Sequence, residues 1–410
     1  MSGAAATDTR DLSAGDRRIA ELTAFRPLAS VLMLTLPSLF LAWRVITFGT
    51  AHPVIGDCID SPTDFCVFWD AAKLAIAGDG GSVFDQTLLR STASNVEADW
   101  FPWLHPPATL LLFSPLGTLP AAWSWALFSG LSLLCFGAAL SLILGRTRTI
   151  WFEFWLTPAI FPALILGQFT ILWLAGLLAA FEALRRDRFV LAGVLIGLLT
   201  LKPTLGLLIP VALLAFGAWR TIFAAIVTTV VIQGGATLVF GFDYWPAMAE
   251  IYHEHTLRLL QQLATLDRMA SLPALLSQMG LSGSILLSAQ SVLTLALVAL
   301  VAWIWKARDV SFDARMACLC AAIPLATPYL WYYDAALATL SALYLFRSGA
   351  LPTVGYGRAL YFLFWLGAGL FMWVRLVSTS VVIPATALVL PLALLALALA
   401  ASRSRMGEAT

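Results

Sequence analysis

Five stretches of this chain, residues 29–49, 121–145, 221–241, 283–305 and 379–401, each run for roughly 20 mostly apolar residues. In a helix rising 1.5 Å per residue, ~20 residues cross the ~30 Å hydrocarbon layer of a bilayer. None of the runs alternates apolar and polar residues with period two, so they read as helices and not as barrel strands. Composition agrees: 60% of the 410 residues are hydrophobic and 11% are charged, whereas soluble domains carry ~25% charged residues. Lipid must therefore be the solvent for most of the chain. The expected fold class is all-α, a polytopic membrane protein of about twelve spans.

Lys and Arg set the orientation, because they collect on the cytoplasmic side of membrane helices. A cytoplasmic N-terminus leaves 17 of the 24 Lys and Arg inside, including Arg185, Arg186, Arg188, Lys306, Arg308 and Arg347. The opposite orientation inverts the bias. Met1–Ala20 is polar and has no apolar core, so no cleavable signal peptide is expected there. This topology pairs short legs through tight turns: 150–165 with 168–184 at Gly167-Gln168, 189–201 with 203–218 at Lys202-Pro203, and 314–328 with 330–346 near Pro328. Short, Pro-interrupted helices are tolerated where they line a protein cavity. The organisation expected is a cytoplasmic tail over 1–28, one membrane domain over 29–401 and a second cytoplasmic tail over 402–410. Two long periplasmic loops, 50–120 and 242–282, interrupt the domain. A net charge of +1 implies no nucleic-acid partner.

In the first loop, Ser61-Pro62-Thr63-Asp64 has the form of a helix start, with Ser61 as N-cap and Pro62 at the first helical position. On that helix Asp64 shares a face with Phe68, Ala71 and Ala75, whereas Asp70 falls beside Lys73 and reads as solvated and paired. Asp64 can be a functional carboxylate or simply a helix-capping acid. Cys58 and Cys66 flank the helix start and a disulfide between them is possible; Cys135, Cys318 and Cys320 read as small core residues. No Cys/His spacing suggests a metal site. Trp100-Phe101-Pro102-Trp103-Leu104-His105-Pro106-Pro107 leads into a short apolar piece, Ala108–Pro120. That piece reads as an interfacial or re-entrant helix, with its tryptophans at headgroup level.

Ionisable groups at membrane depth cost ~2.5–3.5 kcal/mol each on insertion scales and are functional candidates by default. Lys202, Asp334 and Arg375 qualify, and Gln168 takes the place equivalent to Lys202 in the preceding turn. Asp334 is expected inside the returning helix 330–346. Lys202 and Arg375 can alternatively snorkel to headgroups, as Arg44 is expected to do. In the second loop His253, His255, Arg258, Asp267 and Arg268 are clustered.

Asp64-Phe-Cys-Val-Phe-Trp-Asp-Ala-Ala, with Gly78 and Val83-Phe84-Asp85, resembles the first-loop signature of glycosyltransferase family 87. His105-Pro-Pro with Ser114-Pro-Leu, Gly167-Gln-Phe-Thr, Ala192-Gly-Val with Leu201-Lys-Pro, and Thr327-Pro-Tyr with Tyr333-Asp334 follow in the family's order over residues 60–340. A tyrosine is the expected residue where His105 stands. The resemblance implies a GT-C fold, a polyprenyl-phosphate-sugar donor (most often of mannose), a lipid or glycan acceptor, and an active site at the outer face of the cell membrane. It implies a first-loop acid as catalytic residue, and Asp64 matches that position. Such chemistry needs a carboxylate to take the acceptor's proton and cations for the departing phosphate. Lys202 is the first candidate for the phosphate, then His105 and Arg258 or His255; Gln168, Tyr329 and Asp334 complete the expected substrate site. No cofactor or metal is demanded, since protein cations can hold one phosphate.

A secondary transporter would also explain embedded Lys202 and Asp334, but it predicts inverted repeats that are not evident. A polymerase or ligase of lipid-linked glycans would differ in using a lipid diphosphate donor. A non-catalytic subunit of an envelope complex is the remaining reading.

Overall fold

The structure is a computed structural model and describes residues 14–15, 17–18, 58, 64–89, 102–144, 157, 159–377 and 384–406. The proposed first span, 29–49, the proposed cap Ser61-Pro62, Arg44 and half of 150–165 lie outside these residues, as does the side chain of Arg375. The described residues form helices with no strand; a single antiparallel bridge joins Met269 to Trp331.

Among the described residues three helices are long and apolar enough to cross a membrane: α3 (Ala121–Leu144), α8 (Trp219–Phe240) and α11 (Ser284–Lys306). The other elements, in chain order, are α1 (Asp64–Ile76), α2 (Pro107–Phe113), α4 (Phe161–Leu166), α5 (Thr170–Arg185), α6 (Phe189–Leu198) and α7 (Ile209–Phe216). They continue with α9 (Tyr244–Gln262), α10 (Leu272–Gln278), α12 (Phe312–Ala326), α13 (Ala336–Ser348), α14 (Tyr356–Val377) and α15 (Ala385–Met406). The short paired legs expected around residues 168–218 and 314–346 exist as helices of this set. One differs in extent. The expected leg 203–218 begins as a 3-10 turn, Pro203–Leu205, and becomes α-helical only at Ile209, so α7 is about two turns long.

These short helices end in the protein interior, where every freed backbone group needs a partner. The break after α6 meets that demand with side chains from three elements. Trp173 Nε1 donates to the Leu199 carbonyl (3.2 Å), Gln233 Nε2 to Thr200 (3.4 Å) and Thr109 Oγ1 to Leu201 (2.7 Å). The end of α12 is treated the same way: buried Gln290 of α11 donates to the carbonyls of Leu325 (3.1 Å) and Ala326 (3.2 Å). Thr327 Oγ1 reaches back to Ile323 (2.8 Å). Ser311 starts α12 by capping Ala314 N (3.2 Å), and Thr327-Pro328 stops it.

Close helix packing is provided by Gly193 and Gly197, four residues apart on α6. A Cβ on Gly193 would come within 2.4 Å of the Thr221 carbonyl oxygen, and one on Gly197 within 2.6 Å of Thr228. The spacing is the small-xxx-small pattern that lets membrane helices approach closely, here α6 against α8.

The Arg-rich ends of the short helices are tied down locally. Glu182, buried near the end of α5, pairs with Arg185 and Arg186, both at 2.7 Å. Arg347 at the end of α13 reaches Asp313 (3.3 Å) and the Ile143 carbonyl (2.6 Å). The opposite ends of α5 and α13, at Thr170 and Ala336, frame the site described next.

Two local expectations are corrected. Trp103 is not at an interface: it is fully buried and donates to the Tyr244 hydroxyl at 2.6 Å. Asp70 pairs with Lys73 as expected (2.8 Å), but it is buried, not solvated. Both corrections arise because the first loop is packed against protein: α1 lies on α2 and on the 114–118 turn.

Candidate functional site

At the end of the bundle away from the Arg-rich turns, a cleft of about 1340 Å³ opens. Asp64, His105, Gln168, Lys202, His255, Arg258, Tyr329 and Asp334 all line it. They come from elements far apart in the chain, and the turns at 167–168, 202–203 and 327–335 converge there.

Asp64 opens α1, whose residues Phe65, Phe68, Ala71 and Ala72 are buried. Its position is fixed by the neighbouring turn. Gly167 adopts φ +65°, a left-handed conformation that a side chain resists, and a Cβ there would fall 2.6 Å from Phe65 Cβ. Gly167 thus lets the turn lie against α1, and the next residue, Gln168, donates from Nε2 to Asp64 Oδ2 at 2.5 Å. Burial among the cleft walls raises the Asp64 pKa above the ordinary carboxylate value of 3.8, outweighing the Gln168 hydrogen bond and the nearby charges of Arg268 and Lys202. Among the described residues, Asp64 has an amide as its partner and no ion pair. An ionised carboxylate in that setting is a competent proton acceptor.

The second carboxylate is bound quite differently. Asp334 is not inside a helix, as expected, but in the 3-10 turn Tyr332–Asp334 that precedes α13. Pro328 and the bridge to Met269 hold this segment extended, so helix begins only at Ala336. Buried Lys202 Nζ donates to Asp334 Oδ1 at 2.8 Å and to Thr170 Oγ1 at 3.0 Å, and Thr170 Oγ1 donates to Asp334 at 2.5 Å. Lys202 therefore does not snorkel. Its charge is matched at the floor of the cleft, with its ammonium 5.2 Å from the Tyr333 ring centroid.

His105 is held on its protein side by aromatic and backbone contacts. Its ring lies 5.0 Å from that of Phe68 and 5.1 Å from that of Trp103, and it hydrogen-bonds the Leu201 carbonyl. Tyr244 and Tyr252 of α9 clamp its segment by donating to the carbonyls of His105 (3.0 Å) and Leu104 (2.8 Å). Burial and then the Lys202 charge push the His105 pKa down to about 3; burial and then Arg258 push that of His255 to about 4. Both imidazoles are neutral at physiological pH, so they line the cleft without adding charge to it. Arg258 pairs with Glu254 one turn earlier, at 2.7 Å. Tyr329 hydrogen-bonds Thr256, tying the 327–335 turn to α9.

Sequence reading did not single out Thr170 or Arg268. Thr170 closes the Gly167-Gln-Phe-Thr motif, and that was its only signal. Arg268 carried no signal beyond its place in a polar loop; the bridge between 268–270 and 330–332 brings it to the cleft. Among the described residues no three His, Cys, Asp or Glu side chains gather closely enough to hold a metal ion. Cys58 and Cys66 form a disulfide, closed just beside Asp64.

No curated protein and no solved structure matches the chain. The family model for glycosyltransferase family 87 matches residues 103–328, more than half of the chain, and its match spans Gln168, Lys202 and the whole of α9. With the apolar helices and the shared cleft, that match shows that the chain is a membrane glycosyltransferase belonging to glycosyltransferase family 87.

Proposed function

We propose that the chain transfers a hexose, most often mannose in this family, from a polyprenyl-phosphate donor to a lipid or glycan acceptor, with Asp64 as general base. The observation that carries this reading is the environment of Asp64: a carboxylate with a raised pKa and a neutral partner, facing a cleft of about 1340 Å³. In the step proposed, the acceptor hydroxyl attacks the anomeric carbon as Asp64 takes its proton. The bond from that carbon to the phosphate oxygen breaks, and its electron pair leaves with the polyprenyl phosphate. Direct displacement inverts the anomeric centre. The leaving group is stabilised as an anion, so no general acid is required of the protein.

Gln168 orients the base, while the Lys202–Asp334–Thr170 cluster gives the floor a fixed shape. Neutral His105 and His255, with Tyr329 and Arg258, line the cleft, and the proposal gives them the hydrogen bonds to sugar hydroxyls. Further support for an extracytoplasmic site comes from the Cys58–Cys66 disulfide, because disulfides persist in oxidising compartments. The Arg-rich opposite ends support the same orientation, with both termini in the cytoplasm.

The test is to incubate the purified protein with labelled polyprenyl-phosphate-mannose and a membrane lipid extract, then read the anomeric configuration of the product. Transfer with inversion is expected. Donor uptake into vesicles without any glycosylated product would contradict an enzyme and favour a transporter.

A further inference from the structure

Counting the charges around the cleft identifies a phosphate site that differs from the one expected from sequence. Lys202, the first candidate, is committed to buried Asp334 at 2.8 Å, and Arg258 shares its charge with Glu254 on the surface at 2.7 Å. His105 and His255 carry no charge at neutral pH. Arg268 remains: it lines the cleft, is exposed, and among the described residues has no carboxylate within ion-pair distance. Its backbone is held by hydrogen bonds and packing. Its carbonyl accepts from Tyr332 N (3.1 Å), the next residue, Met269, is fully buried against Leu259, Leu263 and Leu286, and Ala270 N donates to the Leu330 carbonyl (2.7 Å). The guanidinium thus hangs from a rigid anchor on the segment that also carries Trp331 to Asp334, and its charge is felt at Asp64.

We propose that Arg268 receives the phosphate of the lipid-linked donor and that Lys202 is a positioning residue fixing Asp334 and Thr170. The inference rests on the sugar-transfer reading above and names the cation of that same site. A guanidinium is suited to the task, since its planar fork can give two parallel hydrogen bonds to phosphate oxygens. A buried ammonium already shared between a carboxylate and a hydroxyl would have to surrender one of them. The phosphate gains charge as the sugar departs, so the Arg268 contact strengthens along the reaction and its loss should lower kcat as well as raise KM.

The experiment uses the full chain in phosphatidylcholine nanodiscs, titrated with a polyprenyl monophosphate. Arg268→Gln is expected to weaken binding about tenfold to a hundredfold, the range for hydrogen bonds to charged groups. Arg268→Lys should recover part of it, and Asp64→Asn should bind at least as tightly as the wild type. Because Arg268 is exposed and has no ion-pair partner among the described residues, the Arg268→Gln melting temperature should match the wild type. Binding by Arg268→Gln within twofold of the wild type overturns the Arg268 assignment and leaves sugar transfer standing. Failure of the wild-type protein to bind the polyprenyl monophosphate overturns both. Inorganic phosphate in a separate arm distinguishes the source: competition at comparable concentration would make the site one for free phosphate and defeat the lipid-linked assignment.

Discussion

Two carboxylates face the same cleft, and their surroundings divide the labour between them. Asp334 sits at the start of α13 with an ammonium at 2.8 Å and a hydroxyl at 2.5 Å, at the floor where several helices end. Asp64 sits at the start of α1, on the wall, and among the described residues its side chain has a single amide partner. A carboxylate neutralised by a fixed cation is a structural element, because taking up a proton would break its ion pair. A carboxylate held by an amide keeps lone pairs free, and burial makes it more basic than an ordinary carboxylate. On the proposed reading, the same residue type serves as a keystone in one place and as a proton acceptor in the other.

That contrast predicts its largest effect on stability at the floor. Lys202→Met leaves Asp334 buried without its counter-charge, and breaking such a pair costs ~3–5 kcal/mol. Thermal melts should show a strongly destabilised protein, and the double variant Lys202→Met/Asp334→Leu should recover much of the loss. If the single variant melts like the wild type, the pair is not structural. Opening the Cys58–Cys66 link as Cys58→Ser/Cys66→Ser should cost about 2–3 kcal/mol on the loop-entropy estimate and loosen the start of α1. Transfer should fall more than donor binding does; equal losses in both would show that the link does not act through Asp64.

A smaller effect is expected at the turn that joins the two regions. Gly167→Ala forces a side chain into φ +65° and against Phe65, a strain of ~1–3 kcal/mol. Since Gln168 follows directly, activity should drop further than stability explains, and a purely stability-matched drop would argue against the Gln168–Asp64 contact. The mildest prediction concerns pH. The Asp64 pKa is raised, so transfer should decline as pH falls through a value above 3.8, and Asp64→Asn should lack that limb. The same shift means that Asp64 favours the folded state only below its unfolded pKa, and that this contribution is lost as pH rises through the folded pKa. Asp64→Asn should then be at least as stable as the wild type at neutral pH, and increasingly so as pH rises from acid.

The convergence of turns at one end was readable because it depends on local signals. Gly167, Pro203 and Pro328 punctuate apolar runs, and Lys and Arg mark the opposite ends. Helical period placed Phe68 and Ala71 on a buried face of α1, but burial extends round the helix to Phe65, Val67 and Asp70, which period alone did not indicate. What sequence could not supply are partners chosen by tertiary packing. Trp103 finds Tyr244 across 141 positions, Asp70 is covered by packing around α1, and Asp334 is kept out of α13 by its segment's bridge to Met269. Arg268 was invisible as a site residue for the same reason, as was the spent charge of Lys202. Ion pairs between distant turns decide which cation is available, and periodicity carries no information about them.

The central claim is best tested on one protein, Asp64→Asn, by measuring transfer from polyprenyl-phosphate-mannose alongside its melting temperature at neutral pH. General bases contribute ~10²–10⁴ in rate, so the account predicts a loss of that order in a protein that melts no lower than the wild type. A folded Asp64→Asn enzyme that still transfers sugar at a near-normal rate would contradict it.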